Sequence, residues 1–206
     1  PWVTRFKQGY FARVTLIDRH LGRIQDHLER TGLLENTLVI FTSDHGEMLG
    51  DRRHFSKTVP YQGSTHIPMI FYGAGSDPGT RATTPANTWD VAATILDAAG
   101  VTPPTDHPLV GTSLLQLGND DDRVVISHCF EGSRRWVAAM DARHKFIHHY
   151  STGEEELYDL QADPWEGDNR RTDPSMTAVA ERLAGECIAF EREYGAVDCT
   201  DDEGFV

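Results

Sequence analysis

The first periodic stretch of the chain covers residues 8–31, where apolar positions recur at steps of three and four. They are Phe11, Val14, Ile17, Leu21, Ile24 and Leu28. Charged residues occupy the other faces, so this spacing predicts an amphipathic helix with one apolar stripe. Gly32 follows the last periodic residue, and a glycine at that position commonly ends a helix.

Two short apolar runs come next, and each is predicted to be a strand. Residues 37–42 are rich in β-branched types, which is typical of a strand buried on both faces of a parallel sheet. Residues 67–72 form the second strand, and a polar loop over residues 43–65 lies between the two. Because ligands bind beyond the carboxyl ends of strands in open α/β sheets, this loop is the predicted working surface.

A second helix is predicted over about residues 89–99. Asn87 or Thr88 is its expected cap and Gly100 its stop. Helix, strand, loop, strand and helix in that order indicate α/β layering for residues 1–118.

The pattern changes in residues 119–206, which are predicted to form a small α+β subdomain. Four short strand candidates are separated by polar turns: Val124–Ser127, Trp136–Met140, Lys145–Tyr150 and Glu156–Leu160. Residues 154–156 read as a solvated acidic turn. A final helix over residues 174–194 carries one apolar face, so we expect an antiparallel sheet with this helix packed on it.

Charge is distributed unevenly along the 206 residues, whose formal net charge is −13. Residues 1–118 carry a net charge of −1 and residues 119–206 a net charge of −12. The acidic second part repels nucleic acid and anionic membranes, so neither is an expected partner. The chain begins at Pro1 without a methionine, which suggests a processed chain or a piece, and its compartment stays open.

The residues after the first strand are good candidates for chemistry. Asp44 and His45 can both bind a divalent metal, and Gly46 permits a sharp exit from the strand. Lys57 adds a cation that could hold an anionic substrate or stabilise a leaving oxygen. His54 is a weaker candidate for the substrate entrance. The alternative interpretation is an aspartate that caps a turn, with a solvent-exposed histidine and lysine. The metal-site interpretation favours hydrolysis of an anionic ester.

Several segments, in order along the chain, share the pattern of one enzyme family: residues 10–23, 39–51, 57–70, 89–100, 111–114, 145–147 and 156–164. The most distinctive reads Val39-Ile40-Phe41-Thr42-Ser43-Asp44-His45-Gly46-Glu47. Together these segments resemble the sulfatases, within the alkaline phosphatase superfamily. The resemblance implies part of an alkaline-phosphatase-like α/β sandwich over residues 1–118, followed by the small sheet and its helix.

The resemblance also implies roles for three side chains. Asp44 and His45 match the second pair of calcium-site positions, and Lys57 matches the lysine that contacts the sulfate and the leaving oxygen. Ca²⁺ is therefore the expected ion. An imidazole ligand suits transition metals better than Ca²⁺, so Mn²⁺ or another divalent ion stays open.

The family nucleophile, a formylglycine made from Cys or Ser in C/S-x-P-x-R, is not encoded in this chain. Cys129, Cys187 and Cys199 have no proline two residues on, and they read as unpaired or core thiols. Ser76 starts a similar pattern, but Thr80 stands where arginine is required. We therefore expect this chain to be the carboxyl-terminal part of a sulfatase, with the nucleophile in an N-terminal segment.

These observations predict a metal-dependent sulfuric ester hydrolase that acts on a sulfate-ester substrate. The chain alone is expected to be inactive, and its main partner is the missing N-terminal half of the same enzyme. Half a domain would expose apolar core surface, so a homo-oligomer is a further possibility. The alternatives are a phosphodiesterase or phosphonate monoester hydrolase of the same superfamily, or a non-catalytic sulfatase-like fragment.

Overall fold

The computed structural model describes residues 2–103, 106, 109–118, 120, 122–130, 134–195, 199–201 and 204–205. The helices are α1 (Trp2–Arg30), α2 (Gln62–Thr65), α3 (Thr88–Ala98) and α4 (Thr177–Tyr194). The strands are β1 (Leu38–Thr42), β2 (Met69–Gly73), β3 (Val125–Cys129), β4 (Trp136–Met140), β5 (His144–His149) and β6 (Glu154–Asp159). Among these residues no helix has the length and apolar character needed to cross a membrane. The mixed α/β class that the sequence predicts is confirmed.

Helix α1 begins at Trp2, earlier than its apolar spacing predicts, and none of its residues is buried. Phe11, Ile17 and Ile24 in the predicted apolar stripe are 50–56% exposed. Its link to β2 is polar, because the Tyr72 hydroxyl donates to Glu29 Oε1 at 2.8 Å. The periodic pattern therefore predicted the helix correctly, while its apolar stripe lies open in the described structure.

Strand β1 pairs with β2 in antiparallel register, with Ile40 opposite Phe71. The prediction of a parallel sheet is therefore wrong for this pairing, and all five residues of β1 are only half-buried. An apolar run reports on burial but not on strand direction. Direction is set here by the loop after β1, which returns the chain alongside the strand it has just left.

Asn87 caps helix α3, which decides between the two predicted caps. Its side chain accepts a hydrogen bond from the Trp89 backbone N–H at 3.1 Å, and Asp90 Oδ2 accepts from the Asn87 N–H at 2.8 Å. This reciprocal pair is a capping box. Asp90 is fully buried and also accepts from Arg123 at 2.7 Å, so the cap ties α3 to the start of the second half.

We expect Asn87→Ala to lower the free energy of unfolding by about 1 kcal/mol, because the alanine cannot accept from the first turn of α3. Thr88→Ala is the matched control, since Thr88 is exposed and lies inside the helix. Urea unfolding of the two variants measures the difference. Equal destabilisation by both would contradict the assignment of the cap.

The second half forms a four-stranded antiparallel sheet, as predicted, and the structure gives its strand order as β3-β4-β5-β6. One face of this sheet packs on α4. The buried residues of this core are Val137, Ala139, Phe146, Leu157, Ala180, Leu183 and Cys187. Cys187 is the core thiol that the sequence predicts, and burial raises its pKa.

The opposite face of the same sheet, here called the loop face, comprises Trp136, Ala138, Ile147 and Tyr158, and Tyr61 packs against it. Tyr61 belongs to the loop between β1 and β2, whereas the other four belong to the small sheet. The sheet therefore has two covered faces, one under α4 and one under the loop that follows Asp44 and His45.

Candidate active site

Asp44 and His45 lie just beyond the carboxyl end of β1. The His45 backbone N–H donates to Asp44 Oδ1 at 2.9 Å, and Asp44 Oδ2 lies 3.4 Å from His45 Nε2. Neighbouring side chains on a strand point to opposite faces. Because the strand ends at Thr42, both side chains can turn to the same region.

The hydrogen bonds of His45 define the roles of its two ring nitrogens. Nδ1 lies 2.8 Å from the carbonyl oxygen of Gly46, which can only accept, so we assign the proton to Nδ1. Nε2 is then the acceptor, and Lys57 Nζ donates to it at 2.8 Å. This tautomer places the ring's lone pair on Nε2, and a metal ion bound there would replace the hydrogen bond from Lys57.

The surroundings of Asp44 favour its ionised form. Desolvation opposes ionisation, but the hydrogen bond from the His45 N–H and the charge of Lys57 outweigh it, so the pKa of Asp44 lies below its ordinary value. A carboxylate, an imidazole and an ammonium group thus converge at one strand end. The structure brings these three predicted residues together, while their metal and sulfate roles stay predictions.

Glu47 orders the loop that carries Lys57. Its Oε1 accepts from the backbone N–H of Ser56 at 2.5 Å and from that of Leu49 at 3.2 Å. The Met48 N–H donates to the Ser56 carbonyl at 3.0 Å. These bonds close the loop on itself and fix the residue before Lys57.

The same loop holds most of the unusual backbone conformations of the described chain. Five non-glycine residues have a φ between 49° and 76°: Leu49, Arg52, Arg53, Ser56 and Thr58. Such conformations cost about 1–3 kcal/mol each and are typical of functional sites. Nothing in the sequence signals them, because none of these positions is a glycine.

Gly46 has a packing reason as well as the turning role predicted for it. A Cβ atom at this position would lie 2.2 Å from the carbonyl oxygen of Gly63. The Gly46 N–H donates to the Ser64 carbonyl at 2.7 Å. The close approach of these two backbone segments therefore requires a residue without a side chain.

His54 lies apart from the other predicted site residues. Its ring packs near Tyr61, with ring centroids 6.2 Å apart, and it caps the short 3-10 helix Asp51–Arg53. Among the described residues its side chain makes no hydrogen bond to Asp44, His45 or Lys57. Its predicted place at a substrate entrance remains a prediction.

A buried polar network lies between the loop and the loop face of the sheet. Glu156 accepts from Tyr61 at 3.1 Å and from Tyr158, and His149 Nε2 lies 2.7 Å from it. The guanidinium of Arg52 lies 3.9 Å from the Tyr61 ring centroid. Burial and the nearby charge of Glu156 raise the pKa of Tyr61 to about 12.

The prediction that residues 154–156 form a solvated acidic turn is therefore wrong. These residues begin β6, and Glu156 is only 5% exposed. Burial opposes its ionisation, but hydrogen bonds from His149 and the two tyrosines outweigh it and hold the pKa of Glu156 below its ordinary value. A run of three acidic residues is typical of a solvent-exposed turn. The sequence does not reveal the tyrosine and histidine partners that allow Glu156 to be buried.

Residues 4–101 match the family model described as Sulfatase. The match includes β1, Asp44, His45 and Lys57. The chain belongs to the sulfatase family. The resemblance that the sequence motifs carry is thus confirmed, and the solved structures similar to this chain include sulfatases.

The curated sulfatase relatives are much longer than this chain. Choline-sulfatase from Rhizobium meliloti is 34% identical over 177 residues, which cover 84% of this chain and 34% of that protein. The chain therefore spans about a third of the length of such relatives.

Two solved structures are similar over most of the chain. One is a protein in complex with its substrate D-glucosamine-2-N,6-O-disulfate, with a TM-score of 0.73 and 27% identity over 90% of this chain and 40% of that one. The other is a phosphonate monoester hydrolase from Silicibacter pomeroyi, with a TM-score of 0.70 and 26% identity over 91% of this chain and 42% of that one. The fold of this sulfatase-family chain is thus shared by a protein with a disulfated glucosamine substrate and by a phosphonate monoester hydrolase.

The donor atoms present fit part of a metal site. Asp44 supplies a carboxylate and His45 supplies the lone pair on Nε2, which accepts from Lys57 Nζ in this structure. Within the described residues no group of three or more histidine, cysteine, aspartate or glutamate side chains is placed to hold an ion. A divalent ion needs four or more ligands, of which Asp44 and His45 would supply two.

Proposed function

We propose that the full-length protein carrying this chain is a metal-dependent sulfuric ester hydrolase. The observation that supports this most directly is the convergence of Asp44, His45 and Lys57, with His45 Nε2 3.4 Å from a carboxylate oxygen and 2.8 Å from an ammonium nitrogen. Two ligands for a metal cation beside the positive charge of Lys57 suit an anionic ester. The sulfatase match covers all three residues.

In this proposal Asp44 and His45 supply two ligands of a divalent ion, most simply Ca²⁺, with Mn²⁺ or another divalent ion as the alternative. The ion would polarise a sulfuryl oxygen and orient the nucleophile. Lys57 binds the sulfate and stabilises charge on the leaving oxygen. The nucleophile, a formylglycine, and the remaining ligands belong to the part of the protein that its relatives have and this chain lacks.

The same proposal assigns a partner to the open side of the first half. Phe11, Ile17 and Ile24 on α1 and Ile70 on β2 are each at least 50% exposed, an apolar surface that monomeric proteins normally cover. The rest of the α/β core of the same enzyme is the occupant that fits. It would extend the two-stranded sheet and cover the apolar stripe of α1.

Phosphonate monoester hydrolysis is the second candidate, because a hydrolase of that type shares the fold at 26% identity. The two activities separate in one experiment. The full-length protein, expressed from its complete reading frame, is assayed with 4-nitrophenyl sulfate and with phenyl phosphonate esters. We expect the sulfate ester to be turned over faster, and faster phosphonate hydrolysis would favour the alternative.

The isolated 206-residue chain serves as the control for that assay, and we expect it to hydrolyse neither substrate. Metal-dependent turnover by this chain alone would contradict the proposed division of the site. A full reading frame without C/S-x-P-x-R upstream would leave the non-catalytic interpretation standing instead.

Metal removal is expected to abolish sulfate-ester turnover by the full-length protein, and added Ca²⁺ or Mn²⁺ is expected to restore it. Asp44→Ala should raise the metal concentration needed for half-maximal activity by about 10-fold or more, since it removes one ligand. Asp51→Asn, an exposed acid on the same loop, is the matched control. An unchanged metal requirement in Asp44→Ala would exclude Asp44 as a ligand.

A further inference from the structure

Trp136 on β4 joins the loop face of the small sheet to the loop that carries Lys57. Its side chain is buried, and its indole Nε1–H donates to the backbone carbonyl of Thr58 at 3.1 Å. Thr58 directly follows Lys57 in the chain. A residue far away in sequence thus holds the peptide next to the proposed sulfate-binding lysine.

The backbone on both sides of Lys57 is in a left-handed conformation that needs outside support. Ser56 has a φ of 68° and Thr58 a φ of 76°, a region that is unfavourable for β-branched and other side chains. The Ser56 side is anchored within the loop by Glu47 and Met48. The Thr58 side is anchored by the small sheet.

Two contacts from β4 and the residues just before it reach Thr58. Besides the indole of Trp136, the Arg134 guanidinium donates to Thr58 Oγ1 at 3.2 Å. Thr58 Oγ1 in turn donates to the Lys57 carbonyl at 2.5 Å. The Trp136 bond is the better shielded of the two, because Trp136 is 5% exposed while Arg134 is an exposed residue.

We infer that Trp136 is a positioning residue for Lys57: its N–H bond to the Thr58 carbonyl sets where the lysine ammonium lies. This inference rests on the proposed function, because the position of Lys57 matters to a rate only if Lys57 acts on the ester. It gives the small sheet a role in the reaction although it contributes none of the proposed site residues.

Loss of the hydrogen bond from Trp136 to the Thr58 carbonyl is expected to lower kcat. Trp136→Phe keeps an aromatic ring on the loop face but removes the N–H. Without this hydrogen bond Thr58 can leave its left-handed conformation, and the backbone of Lys57 then shifts. Displacement of a reacting group by about 1 Å can lower a rate by about 100-fold. We expect kcat for 4-nitrophenyl sulfate to fall about 10–100-fold with little change in KM.

A double-mutant cycle in the full-length protein tests the inference. The four proteins are the parent, Trp136→Phe, Lys57→Ala and the double variant, each checked for folding by thermal unfolding. If Trp136 acts through Lys57, Trp136→Phe lowers kcat in the parent and has no further effect in the Lys57→Ala background. Trp165→Phe is the control, since Trp165 is 76% exposed and should leave kcat unchanged.

Each other outcome separates the inference from the proposed function. If Lys57→Ala loses activity but Trp136→Phe retains the parent kcat, the inference is overturned and the proposed function stands. If Trp136→Phe lowers kcat by the same factor in both backgrounds, its role is general to the fold and the inference is again overturned. Full activity in Lys57→Ala would remove the proposed role of Lys57 and the inference with it.

A second variant covers the case in which Trp136→Phe fails to fold. Replacement of Trp136 by β-(3-benzothienyl)alanine exchanges the N–H for sulfur in a ring system of nearly the same shape. Packing against Ala138, Ile147 and Tyr158 is then kept, and only the hydrogen bond to Thr58 is lost. The same drop in kcat is expected, and parent-like kcat in this folded variant would overturn the inference.

Discussion

Replacement of Lys57 by alanine is expected to lower kcat for sulfate-ester hydrolysis by the full-length protein by about 10²–10³-fold. The physical reason is that an ammonium group held beside the metal ligands stabilises negative charge that grows on the leaving oxygen. The Lys57 Nζ atom lies 2.8 Å from His45 Nε2. Steady-state kinetics with aryl sulfates of graded leaving-group pKa measures the effect.

Arg53→Gln is the matched control for Lys57→Ala. Arg53 is an exposed cation on the same loop, so its loss changes the charge of the loop by the same amount. We expect kcat within about twofold of the parent, because exposed charges that do not contact the substrate contribute little. Equal losses of kcat in the two variants would indicate that the total positive charge of the loop matters rather than a specific contact by Lys57.

Glu166→Gln is expected to lower the free energy of unfolding by about 3–5 kcal/mol. Lys145 and Glu166 are 2% and 1% exposed, and Lys145 Nζ lies 2.8 Å from Glu166 Oε1. Glu166 Oε2 also accepts from the Gln62 N–H at 2.7 Å. The substitution leaves a buried ammonium without its counter-charge and weakens the attachment of α2 to the sheet.

Arg171→Gln provides the comparison for that experiment. It breaks the ion pair with Glu155, whose partners are 37% and 26% exposed and 2.6 Å apart. Such a pair contributes about 0–1 kcal/mol, so urea unfolding should separate the two variants clearly. A loss below about 1 kcal/mol in Glu166→Gln would show that the buried pair does not hold the two parts together.

The free energy of unfolding of Glu166→Gln is expected to change with pH in a defined direction. Burial lowers the pKa of Lys145, and the charge of Glu166 opposes this in the parent protein. Without Glu166 the folded-state pKa falls further below the unfolded value. Between those two pKa values the unfolded state binds more protons, so the stability of the variant rises with pH. Its deficit relative to the parent should shrink toward alkaline pH.

Much of the fold follows from local patterns in the chain. The register of apolar residues predicts α1, α3 and α4, and the four-stranded sheet has the strands and connections that its turns indicate. The relative direction of β1 and β2 was not predictable from the sequence, because the long loop that connects them has no periodic pattern. Only the structure shows that the two strands pair in antiparallel register. Trp136 was predicted only as a strand residue, because a hydrogen bond to Thr58 leaves no trace in the sequence.

The residues that carry the proposed chemistry could be identified from the sequence itself. Asp44 and His45 end an apolar strand, and Lys57 follows within the same loop, so ligand chemistry and family pattern together select them. Their convergence needed the tertiary structure, which shows Lys57 reaching His45 Nε2 and defines the tautomer of that ring. Short-range spacing cannot report the distance between side chains at opposite ends of an irregular loop.

Local order in the sequence is therefore enough to specify the helices, the small sheet, the sulfatase relationship and the candidate ligands. Only the three-dimensional packing decides which partners support them. It places Glu156 in a buried network, pairs Lys145 with Glu166 and sets the Trp136 indole against the peptide after Lys57. Such long-range contacts depend on how the two halves of the chain pack together, and a linear pattern does not encode that arrangement in any single segment.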